Sequence, residues 1–164
     1  MQAIESAPSE APNGLLFSCR IDLPDGHYSK KNSKSIAWRG KYSAARPFIR
    51  TNDRAAAIER YVLLCLQRIV SELRDHRTIE LPVHVMLDLS CDSVLTKKGV
   101  ISRSGGDLDN LIQGPIDCLV KAGIIADDSY ITRLSARKRQ GENSVAIKIY
   151  RDEAIETNPR LPGL

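Results

Sequence analysis

From Pro82 to Cys91 the chain alternates, with Val83, Val85, Leu87 and Leu89 on one face and His84, Met86, Asp88 and Ser90 on the other. A period of two is that of a half-buried strand. Leu15 to Asp22 reads as an earlier strand. Between them Ile58, Tyr61, Val62, Cys65, Leu66, Ile69, Val70 and Leu73 recur every three or four positions, which predicts a helix from about Asp53 to Arg74 with Thr51 or Asn52 as its cap. Leu111, Ile112, Ile116, Leu119 and Val120 predict a second helix from about Leu108 to Ala122, kinked or restarted at Gly114-Pro115. Two further strands are expected at Tyr130 to Arg137 and Ser144 to Arg151, joined by the turn-like Gln140 to Asn143.

The order β, basic segment, α, β, α, β, β predicts an α+β fold, a single domain with a mixed β-sheet and two main helices packed on it. A polar arm over 1–13 and a tail over 153–164 would flank a body over 14–152. At 164 residues such a body can bury about 70% of its unfolded surface. No apolar run approaches the roughly 20 residues of a transmembrane helix, so no membrane partner is expected. The first thirteen residues hold Glu5 and Glu10, no Lys or Arg and no apolar core, unlike a secretory or mitochondrial signal, and a cytoplasmic location is expected. Cys19, Cys65, Cys91 and Cys118 form no C-x-x-C pair, and His27, His76 and His84 do not cluster. That spacing argues against a zinc site, a disulfide framework and a Cys/His or Ser/His nucleophile.

The net charge of +4 is concentrated. From His27 to Arg50 the chain carries Lys30, Lys31, Lys34, Arg39, Lys41, Arg46 and Arg50 without one acid, and Tyr28, Trp38, Tyr42 and Phe48 lie among them. Cations interleaved with flat rings suit phosphates and unstacked bases. The plainer alternative is a solvated loop with a few packed aromatics. The second chemical feature is acidic: Asp107 and Asp109 stand just before the second helix, and Asp127-Asp128 follow it. If the helix packs back on the sheet, the two acidic ends could meet, and their mutual repulsion would be relieved by a hard divalent cation. Alternatively, Asp107 or Asp109 is only an N-cap and Asp127-Asp128 only a turn.

Several segments occur together in a recognisable order: Leu23-Pro24, Ser29-Lys30-Lys31-Asn32-Ser33, Asp107-Leu108-Asp109-Asn110-Leu111, Asp117-Cys118-Leu119 and Asp127-Asp128-Ser129-Tyr130-Ile131. In this order, over about residues 15 to 151, the chain resembles the RusA family of Holliday-junction resolvases. The resemblance implies a magnesium-dependent endodeoxyribonuclease that resolves four-way DNA junctions by paired nicks and works as a homodimer. It implies that Asp107, Asp109 and Asp128 are the metal-binding catalytic acids, with Asn110, Asp117 and Asp127 in support. Lys30, Lys31, Asn32, Lys34, Arg39, Lys41 and Arg46 would contact DNA. One position departs from the family pattern: a lysine four residues after the second acid of D-x-D is here Gln113. An amide cannot supply that charge, so Lys97, Lys98, Arg103 and Lys121 are candidates to replace it. Two other readings stand beside this one: a catalytically weak or inactive member that binds junctions, and a general nucleic-acid-binding domain whose aspartates only cap.

Overall fold

The computed structural model describes residues 14–27, 53–73, 75–102 and 106–153 with their side chains, and 34–39 and 46–51 by their backbone. Strands β1 (Leu15–Asp22), β2 (Lys34–Arg39) and β3 (Arg46–Thr51) precede helix α1 (Asp53–Glu72) and strand β4 (Val83–Cys91). Helix α2 (Leu108–Lys121) and strands β5 (Ile131–Gln140) and β6 (Ser144–Arg151) complete the described body. Four strands form one mixed sheet in the order β1-β6-β4-β5, in which β5 is parallel to β4 and the other pairings are antiparallel. The α+β architecture expected from the sequence is the one found.

The core lies between this sheet and the helices. Val83, Val85, Leu87, Leu89 and Cys91 of β4 and Val145, Ile147 and Ile149 of β6 are buried. Ala55, Ile58, Val62 and Leu66 line the inward stripe of α1 at three- and four-residue spacing. Leu111, Cys118 and Leu119 do the same for α2. The two helices also touch through polar groups: the Cys118 thiol donates to the Glu59 carbonyl, and Lys121 pairs with the Glu59 carboxylate.

Four sequence expectations change. The basic segment, expected as one loop, contains β2 and β3, which pair with each other as a separate antiparallel sheet. Lys34 therefore opens a strand, whereas Lys30, Lys31, Asn32 and Lys41 lie outside the described residues. Helix α2 does not restart at Pro115; it runs through, with Gly114 and Pro115 both buried, so packing outweighs the one hydrogen bond that proline cannot donate. β5 extends three residues beyond Arg137. Finally, β5 and β6 are consecutive but not neighbours, because β4 lies between them.

Their connection therefore crosses the end of β4, where the Gly141 amide donates to Cys91 O at 3.0 Å. A Cβ on Gly141 would stand 2.5 Å from Ser90 Oγ, so any larger residue would have to displace the Ser90 hydroxyl. At the same end of the sheet the His27 ring, half-buried, sits 2.7 Å from the Ser90 carbonyl and donates to it. Burial pushes His27 below the ordinary histidine range, against opposing help from the Ser90 and Ser144 backbone and Asp92. A depressed folded pKa means that the unfolded chain takes up a proton first. The stabilisation is complete above an unfolded value near 6.5 and is lost as pH falls below it. The wild-type melting temperature is thus expected to drop between about pH 7 and pH 5 more steeply than that of His27→Gln. Parallel slopes in thermal denaturation would show that His27 titrates as it does in the unfolded chain.

Candidate active site

The D-x-D segment stands at the beginning of α2, and its local geometry follows from the residue before it. Gly106 has φ +71, and a Cβ there would come within 3.1 Å of Leu111 Cδ2. The left-handed backbone favours glycine, and a Cβ would in addition press on the Leu111 side chain. Asp107 follows in extended conformation at the N-cap position, and its carbonyl accepts from the amides of Asn110 and Leu111, both at 3.1 Å. Its carboxylate makes no capping bond. An aspartate at this position ordinarily spends its side chain on the first free amides; here that side chain is exposed and available. Asp109, in the first turn, is also exposed, and Gln113 is exposed one turn further on.

Asn110 turns inward and is only 4% exposed, and among the described residues its Oδ1 has no hydrogen-bond partner. Asp117 is half-buried on the same helix and is engaged in an interaction of its own.

The other acidic pair divides into two roles. Asp127 accepts from the Ser129 amide at 2.9 Å and so caps a short 3₁₀ turn, Asp128–Tyr130. Bonds from the Ser129 side chain and amide hold its carboxyl below the usual range. Asp127 thus uses its carboxylate in the turn, while Asp128 is exposed within it.

The two acidic ends do not meet within the chain. D-x-D lies at the carboxyl end of β4 and β5, whereas Asp127-Asp128 immediately precedes the amino end of β5. Between them runs α2, whose fourteen residues rise about 20 Å. Among the described residues no three His, Cys, Asp or Glu side chains stand together as a metal-holding group. The donors are nevertheless of the right kind: exposed carboxylates are hard oxygen ligands suited to a divalent cation such as magnesium.

The basic groups fall differently from expectation. Lys121 is committed to Glu59, at the far end of α2 from D-x-D, and so does not replace the missing lysine. Lys97 and Lys98 lie on an exposed loop after β4, and Arg103 is outside the described residues. Among the described residues, one cation that sequence reasoning missed stands beside the D-x-D segment. Lys138, half-buried on β5 opposite Leu89, donates to the Gly106 carbonyl at 2.6 Å, directly before Asp107. Two residues on, the Gln140 amide spans the base of the β4–α2 loop, donating to Asp92 O at 2.8 Å and accepting from Leu95 N at 2.9 Å. Between these, Arg137 and Arg139 face the other side of the sheet and share Asp88. Burial would raise Asp88, but the two guanidinium groups outweigh it and hold the carboxyl below its usual range.

With this geometry in view, comparison with known proteins identifies the class. The family model described as Endodeoxyribonuclease RusA matches residues 34–150, which include D-x-D, Asp127-Asp128 and the strands from β2 onward except the last residue of β6. The chain belongs to the RusA endodeoxyribonuclease family. It is accordingly an endodeoxyribonuclease of the Holliday-junction resolvase type, which hydrolyses phosphodiester bonds in branched DNA. A search of curated proteins finds no significant match. Among the described residues no helix is long and apolar enough to cross a membrane.

Replacing Lys138 with Met keeps the stem but removes the charge-assisted bond and leaves the Gly106 carbonyl without its donor. This is expected to cost about 1.5 to 3 kcal/mol of stability. Equilibrium urea unfolding checks it, and an unchanged midpoint would mean that the bond holds nothing in place.

Proposed function

We propose that the protein is a magnesium-dependent resolvase that makes paired nicks at four-way junctions, with Asp107, Asp109 and Asp128 as its metal-holding acids. The observation that carries this reading is the Asp107 carboxylate, which occupies a capping position without capping. Bound by these acids, magnesium would supply Lewis-acid polarisation of the scissile phosphate and offset its developing charge. The chain's own part is to present the carboxylates from a fixed helix start. Gly106 sets the backbone, Lys138 holds the preceding carbonyl, and the buried Asn110 anchors the first turn. Water is the nucleophile. Lys30, Lys31, Asn32, Lys34, Arg39, Lys41 and Arg46 track the phosphate backbones, so that junction shape matters more than base sequence.

A homodimer meets two requirements at once. A four-way junction has near two-fold symmetry and needs two nicks. A two-fold contact also brings surface i of one copy to surface j of the other and the reverse. Opposed α2 ends would then join the Asp107 and Asp109 of each copy to the Asp128 of the other. The alternative of a junction-binding protein with little catalysis has Gln113 in its favour, and it predicts binding without nicking.

Asp107→Asn, Asp109→Asn and Asp128→Asn are each expected to abolish nicking of a labelled junction in magnesium while leaving junction binding intact or tighter. Mixing Asp109→Asn with Asp128→Asn tests the sharing directly. If sites are shared across the dimer, the mixed dimer keeps one intact site and nicks one strand per junction. If each site lies within one chain, the mixture stays dead. Retained activity in all three single variants would remove the site assignment, and a wild type that binds but never nicks would favour the inactive reading.

Gln113→Lys is the complementary change. One positioned electrostatic group is commonly worth about 10²-fold in rate, so restoring the family lysine is expected to raise single-turnover nicking by about tenfold. No gain would mean that the cation already present at the D-x-D start suffices.

A further inference from the structure

The loop between β4 and α2 is a small ordered hairpin. Leu95 and Ile101 form an antiparallel bridge. The Thr96 amide donates to Val100 O, and the Ser102 amide to Val94 O, both at 2.8 Å. The tip turns at Gly99, where φ is +75. Side chains on so short a hairpin have no core to join, and apolar groups would ordinarily be avoided there. Yet Val100 is 64% exposed, Ile101 76% and Leu95 40%. Lys97 and Lys98 complete the tip, and from Ser93 to Ser102 there is no acidic residue.

This hairpin is fixed relative to the acids. Gln140 grips its base through Asp92 and Leu95, and Lys138 on the same face of β5 grips Gly106. The same strand end therefore holds the apolar tip and the D-x-D start in one frame. In chain, Ile101 precedes Asp107 by six residues.

We propose that the hairpin Leu95–Ile101 is a branch-point probe: Val100 and Ile101 wedge against base pairs that open at the centre of the junction, while Lys97 and Lys98 hold the flanking phosphates. The occupant is nucleic acid because the tip pairs its apolar surface with cations and no anion, complementary to a polyanion that exposes base faces only where stacking is interrupted. A branched substrate has such a place at its centre, and a linear duplex does not. Insertion of small apolar side chains at a base step costs unstacking, which is least where stacking is already broken. The wedge thus contributes to selectivity for branched over linear DNA. This inference rests on the junction-resolvase reading above and adds the element that senses the branch.

The test uses the full-length protein and a four-way junction carrying 2-aminopurine beside the branch point. Magnesium is replaced by EDTA for binding and restored for nicking. Wild-type protein is expected to raise the fluorescence on binding, and no rise is expected with the same label in a linear duplex. The double variant Val100→Ser/Ile101→Ser, changed only at exposed positions, is expected to keep its melting temperature and its dimer mass. It should lose the fluorescence rise and nick the junction about tenfold more slowly, as a barrier increase of about 1.4 kcal/mol implies. Lys97→Ala/Lys98→Ala should instead weaken binding and reduce its salt dependence. A double serine variant with the full fluorescence rise and unchanged nicking would overturn the proposal. So would a variant whose mass falls to that of a monomer, since the tip would then be a contact between copies. A wild type that neither binds nor nicks the junction would overturn the resolvase reading itself, a different result from normal wild-type activity with an indifferent variant.

Discussion

The parallel pairing of β5 with β4 is the constraint from which the position of the chemistry follows. Parallel neighbours cannot be joined by a tight turn; the chain must leave the carboxyl end of β4, travel back along the sheet and begin β5 at its other end. Helix α2 is that return path, and its burial against the sheet pins it in place. Its beginning therefore stands at the carboxyl ends of both strands, and its end leads to their amino ends. The segment D-x-D and the pair Asp127-Asp128 are separated by this geometry, not by a local choice of turn. Any site that uses both must draw on more than one copy of α2, which ties assembly to catalysis in the proposed mechanism.

The same pairing explains why the end of β5 is polar on both sides. Arg137 and Arg139 face outward to Asp88, whereas Lys138 and Gln140 face the side covered by the helices. There they meet backbone groups that no secondary structure satisfies: the Gly106 carbonyl before α2, and the Asp92 carbonyl and Leu95 amide after β4. Buried or half-buried backbone groups need partners, and a long side chain from a neighbouring strand can supply them without adding residues to the loop. The chain thus spends two polar side chains on fixing a loop and a helix start on which Lys97, Lys98, Val100, Ile101, Asp107 and Asp109 are exposed.

These roles also explain what could be read from the chain in advance. The bounds of β1 and β6 were legible to the residue, and α1 nearly so, because each carries its burial in a local period. Strand β5 was cut short at Arg137 because Ala136 to Gln140 is almost wholly polar, with no alternation to mark a buried face. Which face Lys138 takes depends on register with β4, and a slip of one residue would send it to solvent. β2 and β3 were hidden by the charge of the basic segment, in which a loop and a paired hairpin have the same composition. The position of D-x-D-N at the start of α2 is legible in the sequence, but its separation from Asp127-Asp128 is not, since that is set by the non-local pairing of β5.

Electrostatics supplies the last step. Two aspartates two positions apart at a helix start are favoured by the dipole but repel each other, and a lysine ammonium brought to that end of a helix from a neighbouring strand would ordinarily be unfavourable. Lys138 is tolerated because it binds a carbonyl that lies outside the helical ladder. It thereby places a positive charge behind the acids, on the sheet side, while leaving their solvent side open. A lysine at position 113 would instead approach from the exposed surface of α2, where Gln113 now lies. The two positions are thus not equivalent in the proposed mechanism: Lys138 would fix the backbone before Asp107 through Gly106, whereas a charge on the exposed turn could reach the phosphate. In the proposed mechanism Lys138 would supply the first and Gln113 cannot supply the second, so the help this pair of residues gives would lie in positioning the acids more than in contacting the reacting group.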